Sequence, residues 1–341
     1  MSAATRPLII DTDPGVDDAM AIAYALARPE VELVGLTTVF GNTSAELATR
    51  NARWLLERFG APEVPVARGA AVPRVQAPLP HPEFVHGADG LGNTHPDGAR
   101  AVPAGVAERG APGVEDEDAA DFIVRAARAR PGEVTIVAIG PLTNLAEALA
   151  REPALPDLVR SLVIMGGAIT EPGNVSPVAE ANFWNDPHAA DETLSRNWPT
   201  TIVGLDVTHR IMLADADLDR LGRDGGETGA TLRAASRFYV DFYTARAAEL
   251  DPAAAASPAC AMHDAAAVAC ALMPDAFETL SGAARVVPDG VAVGQLALDR
   301  KGVAYPVAHW EGRPRVAACT GVDAARVHAD FLDTILAGRR R

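Results

Sequence analysis

The sequence predicts one α/β domain built on a doubly wound, mostly parallel sheet with flanking helices. Three observations support this prediction: apolar runs of strand length recur, helix-forming segments alternate with them, and each run is followed by a loop. Buried parallel strands read as near-continuous apolar runs, and their alternation with helices places them in one sheet. A chain of 341 residues is long enough to bury a core of this kind.

The predicted elements follow one another in a regular order. Strands are predicted at Leu8 to Ile10, Val31 to Phe40, Val134 to Ile139, Leu162 to Met165 and Thr201 to Leu205. Helices with apolar positions three and four residues apart are predicted at Asp17 to Ala27, Ser44 to Phe59, Asp118 to Arg130 and Leu142 to Arg151. An Ala- and Arg-rich helix at Thr231 to Ala248, short strands and a final helix at Asp323 to Ala337 complete the chain. No repeat or linker divides this order, so we predict a single domain, residues 1–341.

One long segment lacks both patterns. Residues 73–112 are rich in proline and glycine and are too long for an ordinary connection, which predicts a loop region with its own functional or lid role at an active site. Residues 1–6 are predicted to be a flexible N-terminus.

Composition argues against several kinds of partner. A net charge of -15 would repel nucleic acid, and the basic residues are scattered along the chain. No apolar run approaches the roughly 18 residues of a membrane span, and the run at Leu8 to Ile10 is too short for a signal peptide. The cysteines, Cys260, Cys270 and Cys319, lack metal-type spacing and are expected to be buried free thiols. We expect a cytoplasmic protein that binds neither nucleic acid nor membranes.

Four carboxylates lie within eight residues, where the first predicted strand ends and a helix begins. They are Asp11, Asp13, Asp17 and Asp18, and Pro14-Gly15 turns the chain between them. Carboxylates this close repel one another and raise each other's pKa, which a divalent cation would relieve. Every candidate ligand is oxygen, which favours Ca²⁺ or Mg²⁺ over Zn²⁺. The alternative is that Asp17 and Asp18 only cap the helix, but one aspartate would be sufficient for a cap.

The segment Asp11-Thr12-Asp13-Pro14-Gly15-Val16-Asp17-Asp18 resembles the N-terminal fingerprint of the inosine-uridine-preferring nucleoside hydrolases. Further segments match this family in the same order: Thr37 to Asn42, His86 to Gly92, Gly140 to Asn144, Met165 to Gly167, Gly173-Asn174, Ala179 to Asn182, Leu205 to Thr208 and His263-Asp264. The resemblance implies the nucleoside hydrolase fold with its Rossmann-like core, in the subgroup with a His-Asp pair. It also implies hydrolysis of the N-glycosidic bond of ribonucleosides to ribose and free base.

The resemblance further implies a role for individual residues. Ca²⁺ would be held by Asp13, Asp18, Asp264 and the backbone carbonyl of Ile139, and Asp13 would also take a proton from the attacking water. The positions that hold the ribose hydroxyls fall on Asp17, Asn42, Asn174, Glu180 and Asn182. Asp11 matches a carboxylate behind the ligands, and His263 matches the acid that protonates the departing base. Ala181 stands where the family more often has Phe.

Contacts to the base are less well determined by the sequence. His86, in a Gly-rich loop, either contacts the base or is an exposed loop histidine. Tyr239 and Tyr243, one helical turn apart, either stack on the base or belong to the core. Base preference is expected to depend on the loop from Pro80 to Leu91 and on the helix from Phe238 to Tyr243.

Three functions remain open at this point. The first is a purine and/or pyrimidine ribonucleoside hydrolase of salvage or catabolism. The second keeps the site but acts on another N-riboside, such as nicotinamide riboside or a modified nucleoside, and the third is a calcium-dependent nucleoside-binding protein without turnover. Phosphate-binding glycine motifs are absent, which favours nucleosides over nucleotides. Family members are commonly dimers or tetramers, so a homo-oligomer is expected.

Overall fold

A nine-stranded sheet forms the centre of the structure, a computed structural model that describes residues 5–98 and 113–338. Its strands are β1 (Arg6–Thr12), β2 (Val31–Thr38), β3 (Val66–Arg68), β4 (Thr135–Ala138), β5 (Ser161–Met165), β6 (Thr200–Val203), β9 (Phe277–Val286), β10 (Leu296–Asp299) and β11 (Arg315–Val322). A separate two-stranded sheet contains β7 (Met212–Ala214) and β8 (Ala259–Ala261). The strand order in the large sheet is β10-β9-β11-β6-β5-β4-β1-β2-β3.

Helices connect and flank these strands. Those before β6 are α1 (Val16–Ala27), α2 (Ala45–Arg58), α3 (Glu83–His86), α4 (Ala119–Ala129), α5 (Thr143–Arg151), α6 (Leu155–Leu158), α7 (Ala181–Asn185) and α8 (Pro187–Thr193). Those after β6 are α9 (Leu205–Thr208), α10 (Asp215–Asp224), α11 (Gly226–Leu250), α12 (His263–Leu272) and α13 (Ala324–Ala337). Every helix predicted from apolar spacing is present, with ends that differ by a few residues.

The prediction of a mostly parallel sheet is confirmed. Strands β1 to β6 pair in parallel, and β11 joins β6 in the same direction. Only β9 runs antiparallel to its neighbours β11 and β10. The connection between β9 and β10, residues 287–295, is shorter than the dozen or so residues that a parallel crossover needs, so this pair forms an antiparallel edge.

Apolar residues on alternate positions of the central strands bury both faces of the sheet. In β1, Leu8 and Ile10 belong to one core cluster and Ile9 to the other, because successive side chains of a strand point to opposite faces. One glycine makes close packing possible: a Cβ on Gly35 of β2 would lie 2.4 Å from the ring of Phe122 in α4. The doubly wound arrangement therefore depends on helices packed closely against both faces.

Part of the predicted loop region has structure of its own. Within residues 73–98 the chain forms the short helix α3, while residues 99–112 lie outside the described residues. Residues 1–4 of the predicted flexible N-terminus also lie outside them, and β1 already begins at Arg6. Among the helices that the structure describes, none combines the length and the apolarity needed to cross a membrane.

Candidate active site

The loop after β1 carries the aspartates to the carboxyl end of the sheet. Asp18, in the first turn of α1, accepts hydrogen bonds from the backbone N–H of Gly15 at 2.8 Å and of Asp13 at 3.2 Å. It also accepts a hydrogen bond from the hydroxyl of Thr12. The capping interpretation is thus correct for Asp18, but it leaves the other three carboxylates unexplained.

Carboxylates from both ends of the chain meet in this loop. One carboxylate oxygen from each of Asp17, Asp18 and Asp264 lies within 4.8 Å of the others, and all three residues are buried. The resemblance implied Asp13, Asp18 and Asp264 as carboxylate ligands, so this set contains Asp17 where Asp13 was expected. Asp13 lies beside it: its Oδ2 accepts the backbone N–H of Asn42 at 2.7 Å, and a Cβ on Gly41 would lie only 2.0 Å from that oxygen. A glycine at position 41 therefore allows Asp13 to approach.

The cluster carries a large electrostatic cost in the absence of a cation. Burial, followed by the charge of Asp18, raises the pKa of Asp13 well above its ordinary value and that of Asp17 to about 8. Burial, followed by the charges of Asp17 and Asp18, raises the pKa of Asp264. Within the described part of the chain, Oδ1 of Asp13 and Oδ1 of Asp17 are buried without a hydrogen-bond partner. Two unsatisfied carboxylate oxygens beside two further carboxylates fit a divalent cation.

Asp11 is the last carboxylate of this group, and its supporting role stays a prediction. Its Oδ1 accepts hydrogen bonds from the hydroxyl of Thr37 at 2.6 Å and from the amide of Asn144 at 2.7 Å. Burial raises the pKa of Asp11 to about 7. Asn144 was present in a matching segment without an assigned role, and here it ties β1 to the start of α5.

The predicted sugar-binding residues line the adjacent wall. Glu180, before α7, is buried, and its carboxylate accepts backbone N–H groups of Gly167 and Asn182 at 2.9 Å each. The amide of Asn182 donates to the carbonyl of Ile139 at 3.0 Å, so a predicted sugar residue contacts the predicted backbone ligand. Asn174 accepts the backbone N–H of Ala181 at 3.0 Å. Asn174, Glu180 and Asn182 all follow β5, and Ile139 follows the neighbouring strand β4.

Asn42 contacts the aspartate cluster through both its side chain and its backbone. Its amide donates to Asp18 Oδ2 at 3.0 Å, while its backbone holds Asp13. Asn42 therefore orients the carboxylates directly, in addition to any contact with a sugar.

At the other end of the site, histidines and tyrosines form a hydrogen-bonded chain. Tyr239 donates to Asp17 Oδ2 at 3.2 Å, and its hydroxyl lies 3.5 Å from that of Tyr243. The hydroxyl of Tyr243 lies 2.6 Å from Nε2 of His263, whose Nδ1 lies 2.7 Å from the hydroxyl of Thr208. Tyr239 is nearly fully buried, in keeping with the core interpretation, and stacking of either tyrosine ring on a base stays a prediction.

His86 belongs to the same group and is not an exposed loop residue. Its ring stacks on Tyr239 with centroids 5.4 Å apart, and Nδ1 accepts the backbone N–H of Val16 at 3.2 Å. Burial lowers the pKa of His86 to about 3, so the ring is neutral. The predicted contact of His86 with the base stays a prediction.

Two buried polar side chains hold the loop that carries His86. Asp89 accepts the backbone N–H groups of Leu91 at 2.7 Å and of Asn93 and His95 at 2.8 Å. The amide of Asn51 donates both to the carbonyl of Pro14 at 3.1 Å and to that of Asp89 at 2.8 Å. Asn51 thereby connects the loop after β1, which contains Pro14, to the loop after α3, which contains Asp89. No sequence pattern indicated this role.

These groups surround one cavity of about 360 Å³. Its lining includes Asp17, Asn42, His86, Ile139, Asn174, Glu180, Asn182, Tyr239, Tyr243, His263 and Asp264. Its mouth adds the aromatic residues Phe84, Trp184 and Phe242, and the rings of Phe84 and Phe242 lie 5.8 Å apart. Phe84 and Phe242 lie in the two segments expected to determine base preference, whereas no sequence pattern indicated Trp184.

Comparison with known proteins agrees with this arrangement. Residues 8–329 match the family described as inosine-uridine preferring nucleoside hydrolase. The chain belongs to this family. A probable uridine nucleosidase 1 from Oryza sativa subsp. japonica is 38% identical over 97% of this chain and 96% of its own length.

Solved structures show the same relationship. The hydrolase resembles a plant nucleoside hydrolase, PpNRh1, with a TM-score of 0.86 and 38% identity over 97% of this chain and 99% of that one. A purine-preferring ribonucleoside hydrolase from Gardnerella vaginalis has a TM-score of 0.84 and 32% identity over 97% and 98% of the two chains. The hydrolase thus acts on the N-glycosidic bond of ribonucleosides, and its aspartate cluster is suited to a metal ion.

Proposed function

We propose that the hydrolase uses Ca²⁺ to split purine and/or pyrimidine ribonucleosides into ribose and free base, in nucleoside salvage or catabolism. The observation that carries this proposal is the convergence of four buried carboxylates, of which Asp17 and Asp264 line the cavity, with Oδ1 of Asp13 and of Asp17 lacking hydrogen-bond partners among the described residues.

Asp13, Asp18, Asp264 and the carbonyl of Ile139 would hold the ion, and Asp17 lies close enough to share its charge. A donor set of oxygens alone favours Ca²⁺ or Mg²⁺ over Zn²⁺, and the family resemblance favours Ca²⁺. When bound, the ion supplies positive charge that orients the sugar diol and the attacking water and makes that water more acidic.

Residues at one end of the cavity act on the attacking water and the sugar, and residues at the other end act on the base. Oδ1 of Asp13 accepts the proton of the water that attacks the sugar. Glu180 and Asp17 place negative charge beside the ring, which becomes positive as the bond breaks. Asn42, Asn174 and Asn182 hold the sugar hydroxyls, which is why ribose is favoured over 2′-deoxyribose.

The departing base leaves toward the histidine and tyrosine chain. Nε2 of His263 is engaged by the hydroxyl of Tyr243, so His263 acts on the base through Tyr243. The Tyr243 O–H bond breaks as its proton moves to the base, and the phenolate accepts a hydrogen bond from His263. The proton that Asp13 took from the attacking water passes to solvent as the products leave, and a proton from solvent restores the Tyr243 hydroxyl. His86 and Tyr239 form the apolar floor beneath the base.

The lining also indicates which ribosides are excluded. Among the described residues that line the cavity there is no Lys or Arg, whereas a 5′-phosphate would meet Asp17, Glu180 and Asp264. Nucleosides are therefore preferred to nucleotides. The mouth is aromatic and tolerates either class of base, in keeping with relatives named for uridine and for purines. We also propose a cytoplasmic homo-oligomer, a dimer or tetramer.

Initial rates of base release from inosine, uridine, cytidine and nicotinamide riboside, each with Ca²⁺ and with a chelator, test the proposal. We expect calcium-dependent release from inosine or uridine at the highest kcat/KM. Base release from nicotinamide riboside alone would mean that the substrate is another class of N-riboside. Binding of nucleosides without base release over hours would mean that the protein binds nucleosides and does not split them. Full activity in the chelator would overturn the metal requirement.

A further inference from the structure

The hydroxyl of Thr208 lies in the core directly behind His263. Thr208 is the last residue of α9 and is fully buried, with Oγ1 2.7 Å from His263 Nδ1. It belongs to the segment Leu205 to Thr208, which matched the family but received no role from the sequence. The neighbouring Asp206 accepts the backbone N–H groups of Ile169 and Thr170 at 2.7 Å, so this short helix is held firmly.

The buried position limits where the hydrogen of Thr208 can point. A hydroxyl has one hydrogen, and leaving it buried without an acceptor costs about 1–3 kcal/mol. Among the residues that the structure describes, Nδ1 of His263 is the only hydrogen-bond partner of this hydroxyl. The hydroxyl therefore donates to Nδ1, which must carry a lone pair and no proton.

We propose that Thr208 is a positioning residue that keeps the proton of His263 on Nε2. This inference rests on the proposed function, because Nε2 lies 2.6 Å from the hydroxyl of Tyr243 at the base end of the cavity. With Nε2–H donating to the phenol oxygen, the hydrogen of Tyr243 is released to point at the departing base. If the proton were on Nδ1 instead, Tyr243 would donate to Nε2 and its hydrogen would point away from the base.

Two variants separate this role from simple packing. Thr208→Val keeps the shape and removes the hydroxyl, whereas Thr208→Ser keeps the hydroxyl and removes a methyl group. For Thr208→Val we expect kcat on uridine and inosine to fall about 10–100-fold, with KM little changed. This is less than the roughly 10²–10⁴-fold of a whole acid–base contribution, because His263 and Tyr243 remain in place. Thr208→Ser is expected to retain most of the activity. On p-nitrophenyl riboside, whose leaving group needs no proton, Thr208→Val should match the wild type.

A measurement that needs no turnover accompanies the kinetics. In the calcium-loaded protein, two-bond ¹⁵N–¹H correlations of the imidazole rings report which nitrogen carries the proton, and His263→Gln identifies the signal of His263. We expect the Nε2–H form in the wild type and in Thr208→Ser, and its loss in Thr208→Val. The proposal is overturned if His263 of the wild type carries its proton on Nδ1 or if Thr208→Val keeps full kcat. It is also overturned if Thr208→Val loses activity equally on the nucleosides and on p-nitrophenyl riboside. If the wild type splits no riboside, the proposed function fails, and the ring correlations still decide the role of Thr208.

Discussion

Removing the charge of Glu180 should change how the stability of the metal-free hydrolase depends on pH. Burial raises the pKa of Glu180 from its ordinary 4.5 to about 7, and the backbone N–H groups of Asn182 and Gly167 offset only part of this rise. A group with a raised folded pKa stabilises the fold fully below its unfolded pKa and loses that contribution as pH rises through the folded pKa. The difference between the folded and the unfolded pKa of Glu180 corresponds to about 3 kcal/mol in the free energy of unfolding. Of this contribution, about 2–3 kcal/mol is lost between about pH 5 and pH 8.

The assay is urea unfolding of wild type and Glu180→Gln in a chelator at these two pH values. The variant carries no titratable group at this position, so its free energy of unfolding should fall by about 2–3 kcal/mol less than that of the wild type. His86 and His263 act in the opposite direction, since burial lowers their pKa and stability falls as pH drops below their ordinary 6.5. Comparing the two proteins cancels that contribution. An equal change in both proteins would show that Glu180 is ionised in the fold at pH 5 and would refute the reasoning.

Three further outcomes are expected. Asp13→Ala should lower kcat/KM at least about a thousandfold with the fold intact by circular dichroism, because it removes a ligand and the base together. Added Ca²⁺ should raise Tm more at about pH 8 than at pH 5.5, because burial raises the pKa of Asp17 to about 8 and protons compete with the ion. Asp89→Asn should lower the free energy of unfolding by about 2 kcal/mol, because one carboxylate oxygen becomes an NH₂ that cannot accept a backbone N–H group, so either the bond from His95 or those from Leu91 and Asn93 are lost.

Each of these outcomes has a result that contradicts it. An active, metal-loaded Asp13→Ala protein would remove Asp13 from the mechanism. Equal calcium shifts of Tm at both pH values would mean that the cluster is ionised without the ion. An Asp89→Asn protein as stable as the wild type would mean that the loop after α3 does not depend on this carboxylate, and Asp97→Asn, an exposed change nearby, serves as its matched control.

Much of the fold was predictable because its signals are local. Apolar runs and helical spacing located β1, β2, β4, β5 and β6 and the helices α1, α2, α4 and α5, since each element is buried on a face that its own sequence defines. The antiparallel edge of β9 and β10 was not predicted. Its direction depends on the length of a connection and on pairing with β11, neither of which is a property of the strand itself.

The candidate site was likewise predictable only in part. The aspartate cluster was visible because four carboxylates at a strand end are difficult to explain structurally, and Asp264 joined it through resemblance. Asn51 and Thr208 could not be found from spacing. Their roles depend on hydrogen bonds to groups that are distant in the sequence, and a buried Asn or Thr in a helix resembles many others that only satisfy the backbone.

The double hydrogen bond of Asn51 has a consequence for changing the specificity of this enzyme. Because one amide joins the carbonyls of Pro14 and Asp89, a substitution that displaces the chain after His86 also displaces the turn that holds the ion-binding side chains. Attempts to alter leaving-group selection are therefore best made at Phe84, which precedes this connection, and not at His81, whose ring lies 3.0 Å from the carbonyl of Gly41 beside Asp13. There, new side chains can reshape the entrance without disturbing the reaction centre.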